Sequence, residues 1–246
     1  MKRKLVMSLV VLVFSQTIYG MNKKEITLEN LYIPPVGYDN NDRVEVVLTG
    51  KIPSLCYELG KTSIFFDNVK KVFTISQSVK NRELIHCENN EIVLEFQKTI
   101  SLGQLETGKY KIVSGDLEKN FLIKKATISS AVDDELYAPL SSAFILDLIS
   151  TEQTPRVILG GKLDQSCLSF NQSDVELKYY DDVIVLLPRM ILKDIPCFNQ
   201  QKVLQAVIPL QKMAKGKYLI HIRTMSGQSI NKVFEIIGNT PQNSGL

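Results

Sequence analysis

The two halves of this chain repeat one another, and that limits what it can fold into more than any other feature. Val46-Val47-Leu48-Thr49-Gly50-Lys51-Ile52, closing on Cys56, returns as Val157-Ile158-Leu159-Gly160-Gly161-Lys162-Leu163, closing on Cys167. Upstream, Leu31-Tyr32-Ile33-Pro34 answers to Leu136-Tyr137-Ala138-Pro139. Downstream, Ile100-Ser101-Leu102 and Gly108-Lys109-Tyr110 answer to Ile208-Pro209-Leu210 and Gly216-Lys217-Tyr218, and each copy closes on an apolar strand around Phe121 or Phe234. Two homologous domains are therefore expected, over residues 21–126 and 127–238. The boundary falls at Lys124-Lys125-Ala126-Thr127, before Ile128-Ser129-Ser130, and a polar tail follows over 239–246.

The repeat also sorts the cysteines. Four cysteines allow three pairings, and only Cys56–Cys87 with Cys167–Cys197 treats the copies alike. The spans are 31 and 30 positions, loops whose closure is worth roughly 3–4 kcal/mol each on the chain-entropy model. A thiol nucleophile with His86 beside Cys87 fails the same symmetry, because Pro196 precedes Cys197.

The hydrophobic pattern has period two. Ile92, Leu94 and Phe96 alternate with Val93, Glu95 and Gln97, an apolar face against a mixed one, and Val72-Phe73-Thr74-Ile75 is β-branched and aromatic, as strands prefer. Val175 to Tyr179 alternates before Asp181-Asp182, a tight turn into Val183-Ile184-Val185-Leu186-Leu187. No segment has a sustained helical period. The expectation is all-β, with two tandem Greek-key β-sandwich domains, each holding one internal disulfide.

Leu105-Glu106-Thr107-Gly108-Lys109-Tyr110 and Met213-Ala214-Lys215-Gly216-Lys217-Tyr218 share the pattern L-x-x-G-x-Y. It resembles the tyrosine corner of immunoglobulin-like sandwiches, whose hydroxyl bonds back to nearby backbone. The resemblance covers nearly all of the chain after residue 20. It implies structural roles for Gly108, Tyr110, Gly216 and Tyr218. Antibody domains place a cysteine two residues after that tyrosine and bury a tryptophan. Here those positions are Ile112 and Ile220, and the chain has no tryptophan. The likeness is to bacterial immunoglobulin-like and fibronectin III-like modules of secreted proteins.

Residues 1–20 read as a signal peptide. Lys2-Arg3-Lys4 leads a short apolar run centred on Leu9 to Phe14, and small or polar residues surround Gly20. The run is far shorter than the usual spanning helix, and the alternative is an uncleaved N-terminal anchor, since Tyr19-Gly20 is not an A-x-A site. Secretion or a periplasmic location follows as an expectation, with no integral membrane segment after cleavage and an oxidising compartment for the cysteines. Of 29 Lys and Arg, three lie in that leader, which leaves 26 against 26 Asp and Glu. A neutral chain without a basic block offers nucleic acid no electrostatic footprint.

Residues with the spacing of a chemical site are few. Two histidines rule out a His-rich metal centre, and the cysteines lack the spacing of a zinc site. Gly160-Gly161-Lys162 tempts a phosphate-binding reading, but Thr49-Gly50-Lys51 marks it as a repeated strand. Asp39-Asn40-Asn41-Asp42 and Asp133-Asp134-Glu135 read as turn-formers before they read as cation sites. Lys109 and Lys111 alternate onto an outward face, with Lys212, Lys215 and Lys217 at the matching corner. Asn171-Gln172-Ser173 has the pattern of a glycosylation sequon. No catalytic, cofactor-binding or metal-binding residue is expected, and no cofactor. The expected function is a non-enzymatic binding or structural module with a protein or glycan partner and an unspecified oligomeric state. The alternatives are a periplasmic chaperone for a surface structure, resembled in size alone, and a secreted enzyme or inhibitor built on loop carboxylates.

Overall fold

A computed structural model describes residues 24–82, 92–128 and 135–238. The expected leader, His86, Cys87, Asp133, Asp134 and the tail from residue 239 lie outside the described residues. The protein is all-β, and among the described residues the only helical element is a 3-10 turn, Gln172–Asp174. In the first half the strands are β1 (Lys24–Ile26), β2 (Leu28–Tyr32), β3 (Tyr38–Asp39), β4 (Val44–Ile52), β5 (Tyr57–Asp67), β6 (Val72–Asn81), β7 (Leu94–Gly103), β8 (Gly108–Ser114) and β9 (Leu117–Lys124). The second half has β10 (Leu140–Phe144), β11 (Leu148–Ser150), β12 (Arg156–Gln165), β13 (Leu168–Ser169), β14 (Val175–Tyr179), β15 (Val183–Pro188), β16 (Ile191–Leu192), β17 (Asn199–Pro209), β18 (Gly216–Arg223) and β19 (Ser229–Ile237).

Each half forms a sandwich-like pair of sheets. In the first, β2-β4-β7 faces a sheet ordered β1-β6-β8-β9-β3, with β5 on β6; in the second, β10-β12-β17 faces β11-β19-β18-β15-β14. Alternating residues meet between the sheets, so Val46, Leu48, Ile112 and Ile123 fill one core and Leu159, Leu186, Ile220 and Ile236 the other. The hairpin through Asp181-Asp182 forms as the pattern predicts, with Tyr179 opposite Ile184.

Strand register shows which repeated residues are equivalent. Val46 faces Ile100 and Gly50 faces Phe96; Val157 faces Ile208 and Gly161 faces Leu204. Tyr110 opposite Phe121 matches Tyr218 opposite Phe234. The upstream match is corrected. Leu28 and Leu140, each followed by a register shift, lie opposite Gly50 and Gly161. Leu31 therefore corresponds to Ala143, and Leu136-Tyr137 sits ahead of the strand rather than within it. The glycines explain this anchoring, because a Cβ at Gly161 would run into the Pro139 carbonyl and one at Gly50 would point towards Thr27 O and the Phe96 ring.

That contrast makes a prediction. Gly161→Ala drives a methyl into backbone, an overpacking expected to cost about 1–3 kcal/mol. At Gly50 the nearest obstacle is the Phe96 ring edge at 2.9 Å, a side chain rather than backbone. Thermal melts followed by circular dichroism should show the larger loss for Gly161→Ala.

The second strand of each central hairpin departs from the immunoglobulin pattern of two antiparallel sheets. β6 runs parallel to β8, with Phe73 beside Ile112, and β15 runs parallel to β18, with Ile184 beside Ile220. β5 and β14 are left outermost on these sheets. Both halves carry the same change, so it belongs to the repeated unit. Cys167 and Cys197 form a disulfide with Cα atoms 4.8 Å apart, compatible with an oxidising compartment. Cys56 is also disulfide-bonded. No helix among the described residues is long and apolar enough to cross a membrane.

Candidate functional site

The halves meet along a seam that is apolar at one end and polar at the other. Tyr32 and Val47, on the outer face of β2 and β4, pack on Tyr137, Val183, Val185, Leu187 and Leu219 of the second half. On β18, Ile220 and Ile222 point into their own core, which turns Leu219, His221 and Arg223 outward onto the first half. The strand's alternation thus sends an apolar residue, an imidazole and a guanidinium into one interface.

Arg223 forms an ion pair with Asp42. Their side chains are only 10% and 3% exposed, and the guanidinium lies 5.6 Å from the ring centroids of both Tyr38 and Tyr137. Asp42 is preset for the role, since its other carboxylate oxygen accepts the Asp39 amide at 2.8 Å. The rest of the Asp39–Asp42 loop is also committed. The Asn41 amide donates to Asp39 Oδ1, the Ala126 amide donates to Asn40 Oδ1, and Asn41 Nδ2 donates to the Ile128 carbonyl. The loop is a clasp on the inter-half link, and among the described residues no group of His, Cys, Asp or Glu is arranged to hold a metal ion.

Beside the ion pair, Asn231 Nδ2 donates to Glu45 at 2.9 Å and its Oδ1 faces His221 Nδ1 at 2.8 Å. A carboxylate only accepts, so it fixes the amide orientation, and the amide oxygen then requires the proton on Nδ1. Nε2 is left as acceptor, 3.1 Å from the Ser229 hydroxyl. Burial, with the Arg223 charge adding to it and Asn231 partly offsetting it, pulls the imidazole down to about 3. His221 is therefore neutral in the folded protein, whereas the unfolded chain takes up a proton near pH 6.5. Its contribution is complete above that value and is lost as pH falls from about 6.5 towards 3, at up to about 1.4 kcal/mol per pH unit. Glu45, held above the ordinary carboxylate range by burial, acts in the opposite sense at the acid end. The melting temperature should decline from pH 7 to 5, and His221→Gln should flatten that slope.

Charged contacts extend the seam. Lys217 reaches Glu29 and Glu95 at 3.5 and 3.6 Å, and Lys119 reaches Asp182 at 2.6 Å. All five side chains are partly exposed, so each pair is worth little alone. Gln97, itself exposed, bridges the seam with two bonds, donating to the Asn231 carbonyl and accepting the Val233 amide. A cleft opens along the polar end between Tyr38, Tyr180 and Arg189, and its volume of 150 Å³ is below the roughly 300–1,000 Å³ of small-molecule sites. Arg189 there is held by Glu135 and Glu176, each at 2.9 Å.

Apart from Asp42 and Lys217, which the seam brings in, the candidate residues of the sequence lie elsewhere. The Tyr110 hydroxyl donates to the Glu106 carbonyl at 2.8 Å and Tyr218 to Ala214 at 3.0 Å, with Gly108 and Gly216 at φ of 155° and 158°. Lys111 pairs with Glu118 at 2.6 Å. Gly160-Gly161-Lys162 lies within β12, and Gln172 and Ser173 lie on the exposed 3-10 turn. None of these joins the seam except Lys217. Similarity between the halves does not mark His221 and Arg223, because it is blind to positions at which the halves differ. His221 and Arg223 stand where the first half has Val113 and Gly115, and difference on an outward strand face was the available signal.

One other region stands out. Beyond the seam, Ile191, Leu192, Ile195 and Phe198 form an apolar tip, with Leu192 65% and Phe198 67% exposed. The Cys167–Cys197 disulfide closes its base. The Lys193 amide donates to the Cys167 carbonyl, and the Ser166 and Phe198 backbones bond to each other. No family model, curated protein or solved structure matches the chain.

Proposed function

We propose that the chain is a non-enzymatic binding or structural module working outside the cytoplasm, made of two immunoglobulin-like sandwich domains locked at one angle. The observation that carries this reading is the stapled tip. Apolar side chains held out in water by a disulfide are costly to keep unless something covers them, and such patches mark protein contact sites. The apolar side chains of the tip are three aliphatic residues and one phenylalanine, without tyrosine or tryptophan, which favours a protein partner over a glycan. The seam supplies rigidity: the buried Asp42–Arg223 pair and the apolar packing of Tyr32 and Val47 support a fixed platform for the tip.

Ser229, His221 and Asn231 do follow the order nucleophile, base, orienter. The imidazole is buried beneath Arg223 and held near a pKa of 3, far from the value a general base needs at neutral pH. That supports a structural role for the trio. The test is capture of partners by the mature protein in its own compartment, with Leu192→Ser/Phe198→Ser as comparison. Loss of a stoichiometric protein partner in that variant is the expected result. Turnover of a peptide, ester or glycoside substrate that disappears in Ser229→Ala would overturn the reading.

A further inference from the structure

The seam uses one outer face of each half and leaves the equivalent faces unused. The first half docks through Tyr32 and Val47, where Tyr32 lies beside Val47 and Val47 beside Thr99. By register the same row in the second half is Phe144 beside Ile158 beside Val207. All three are apolar and exposed, Phe144 by 57%. The receiving face of the second half is built on Val183, Val185 and Leu219. Its equivalent in the first half carries Val72, Thr74 and Lys111, with Val113 next to Thr74 and Phe65 on the other side. Phe65 is 68% exposed.

We propose that a second copy of this chain docks head to tail, its first-half face on the Phe144–Ile158–Val207 row, repeating the internal seam between molecules. The polar register supports that occupant. Where the seam joins Glu45 to Asn231, the copies bring Arg156 to Glu118, an opposite-charge pair. Gln205 occupies the place of Gln97, whose amide reads the backbone of the opposing strand. Other positions make this junction weaker than the seam. Lys111 replaces Leu219, and Gln153 and Gly115 replace the Asp42–Arg223 pair. The junction is heterologous, so it adds units until a ring closes or the chain stays open. It goes beyond the binding role assigned to the tip and uses a different surface.

Sedimentation velocity of the mature full-length chain over a hundredfold concentration range tests this. The average mass should climb past that of a dimer. Phe144→Glu alone and Phe65→Glu alone should each hold the protein at monomer, and both residues are exposed, so melts should stay unchanged. Mixing the two variants should restore a dimer and nothing larger, because one intact junction remains. A monomer at every concentration would overturn the proposal, as would a dimer that survives Phe65→Glu, the mark of a two-fold contact. If Leu192→Ser/Phe198→Ser abolishes self-association while the two glutamate variants retain it, the head-to-tail junction fails and the tip reading stands. Loss of partner capture by the tip variant with self-association intact leaves both in place.

Discussion

Asp42→Ala is expected to lower the unfolding free energy by about 3–5 kcal/mol, because it removes a buried carboxylate paired with a buried guanidinium. The Asp42 and Arg223 side chains have almost no contact with water, so the solvent screening that weakens the Lys119–Asp182 contact does little here. The carboxylate also caps its own loop through the Asp39 amide, and that loop holds the link between the halves. Two losses therefore coincide. Urea unfolding followed by circular dichroism should show the drop. Combining Asp42→Ala with Arg223→Met should recover part of it, since a buried pair replaced by apolar side chains leaves no uncompensated charge. A single-variant loss below about 1 kcal/mol would mean that water reaches the pair.

The second large effect is expected at the tip. Replacing both Cys167 and Cys197 by alanine opens a loop of 30 positions and should cost roughly 3–4 kcal/mol on the chain-entropy model. The loss has a functional face as well. Without the staple, the segment carrying Ile195 and Phe198 keeps its backbone bonds to Ser166 but loses the covalent anchor behind them. Partner capture should fall even at temperatures where the sandwich remains folded. Denaturation under reducing and oxidising conditions, compared with the oxidised double-alanine variant, separates the contribution of this disulfide from that of the one at Cys56, which reduction also opens. Equal stability in all three states would contradict the assignment.

Much of this architecture could be read from the chain because it rests on local chemistry. The Asp181-Asp182 turn, the paired glycines of β4 and β12 and the Gly-x-Tyr corners are each set by a few neighbouring residues, and they recur in order. What could not be read depends on which surfaces meet. Period-two alternation says that a strand has two faces but not which strand lies beside it, so the parallel pairing of β6 with β8 and β15 with β18 left no mark in the sequence. The Leu-Tyr-x-Pro match looked like register and was not, because the close approach at Gly50 and Gly161 sets where β2 and β10 cross. The seam was hidden for a further reason. Its two sides are different halves of one repeat, so Tyr38, Asp42, His221 and Arg223 each had to depart from the pattern that revealed the fold.

In the proposed function the molecule works through its stapled tip, while the polar cleft is structural. A photoreactive amino acid placed at Leu192, and in a second protein at Lys178 on the cleft wall, tests that division in the cells that make the protein. A covalent adduct to one protein from position 192, absent from position 178, is the predicted result. Adducts from position 178 alone, with none from 192, would contradict it and move the binding site into the cleft.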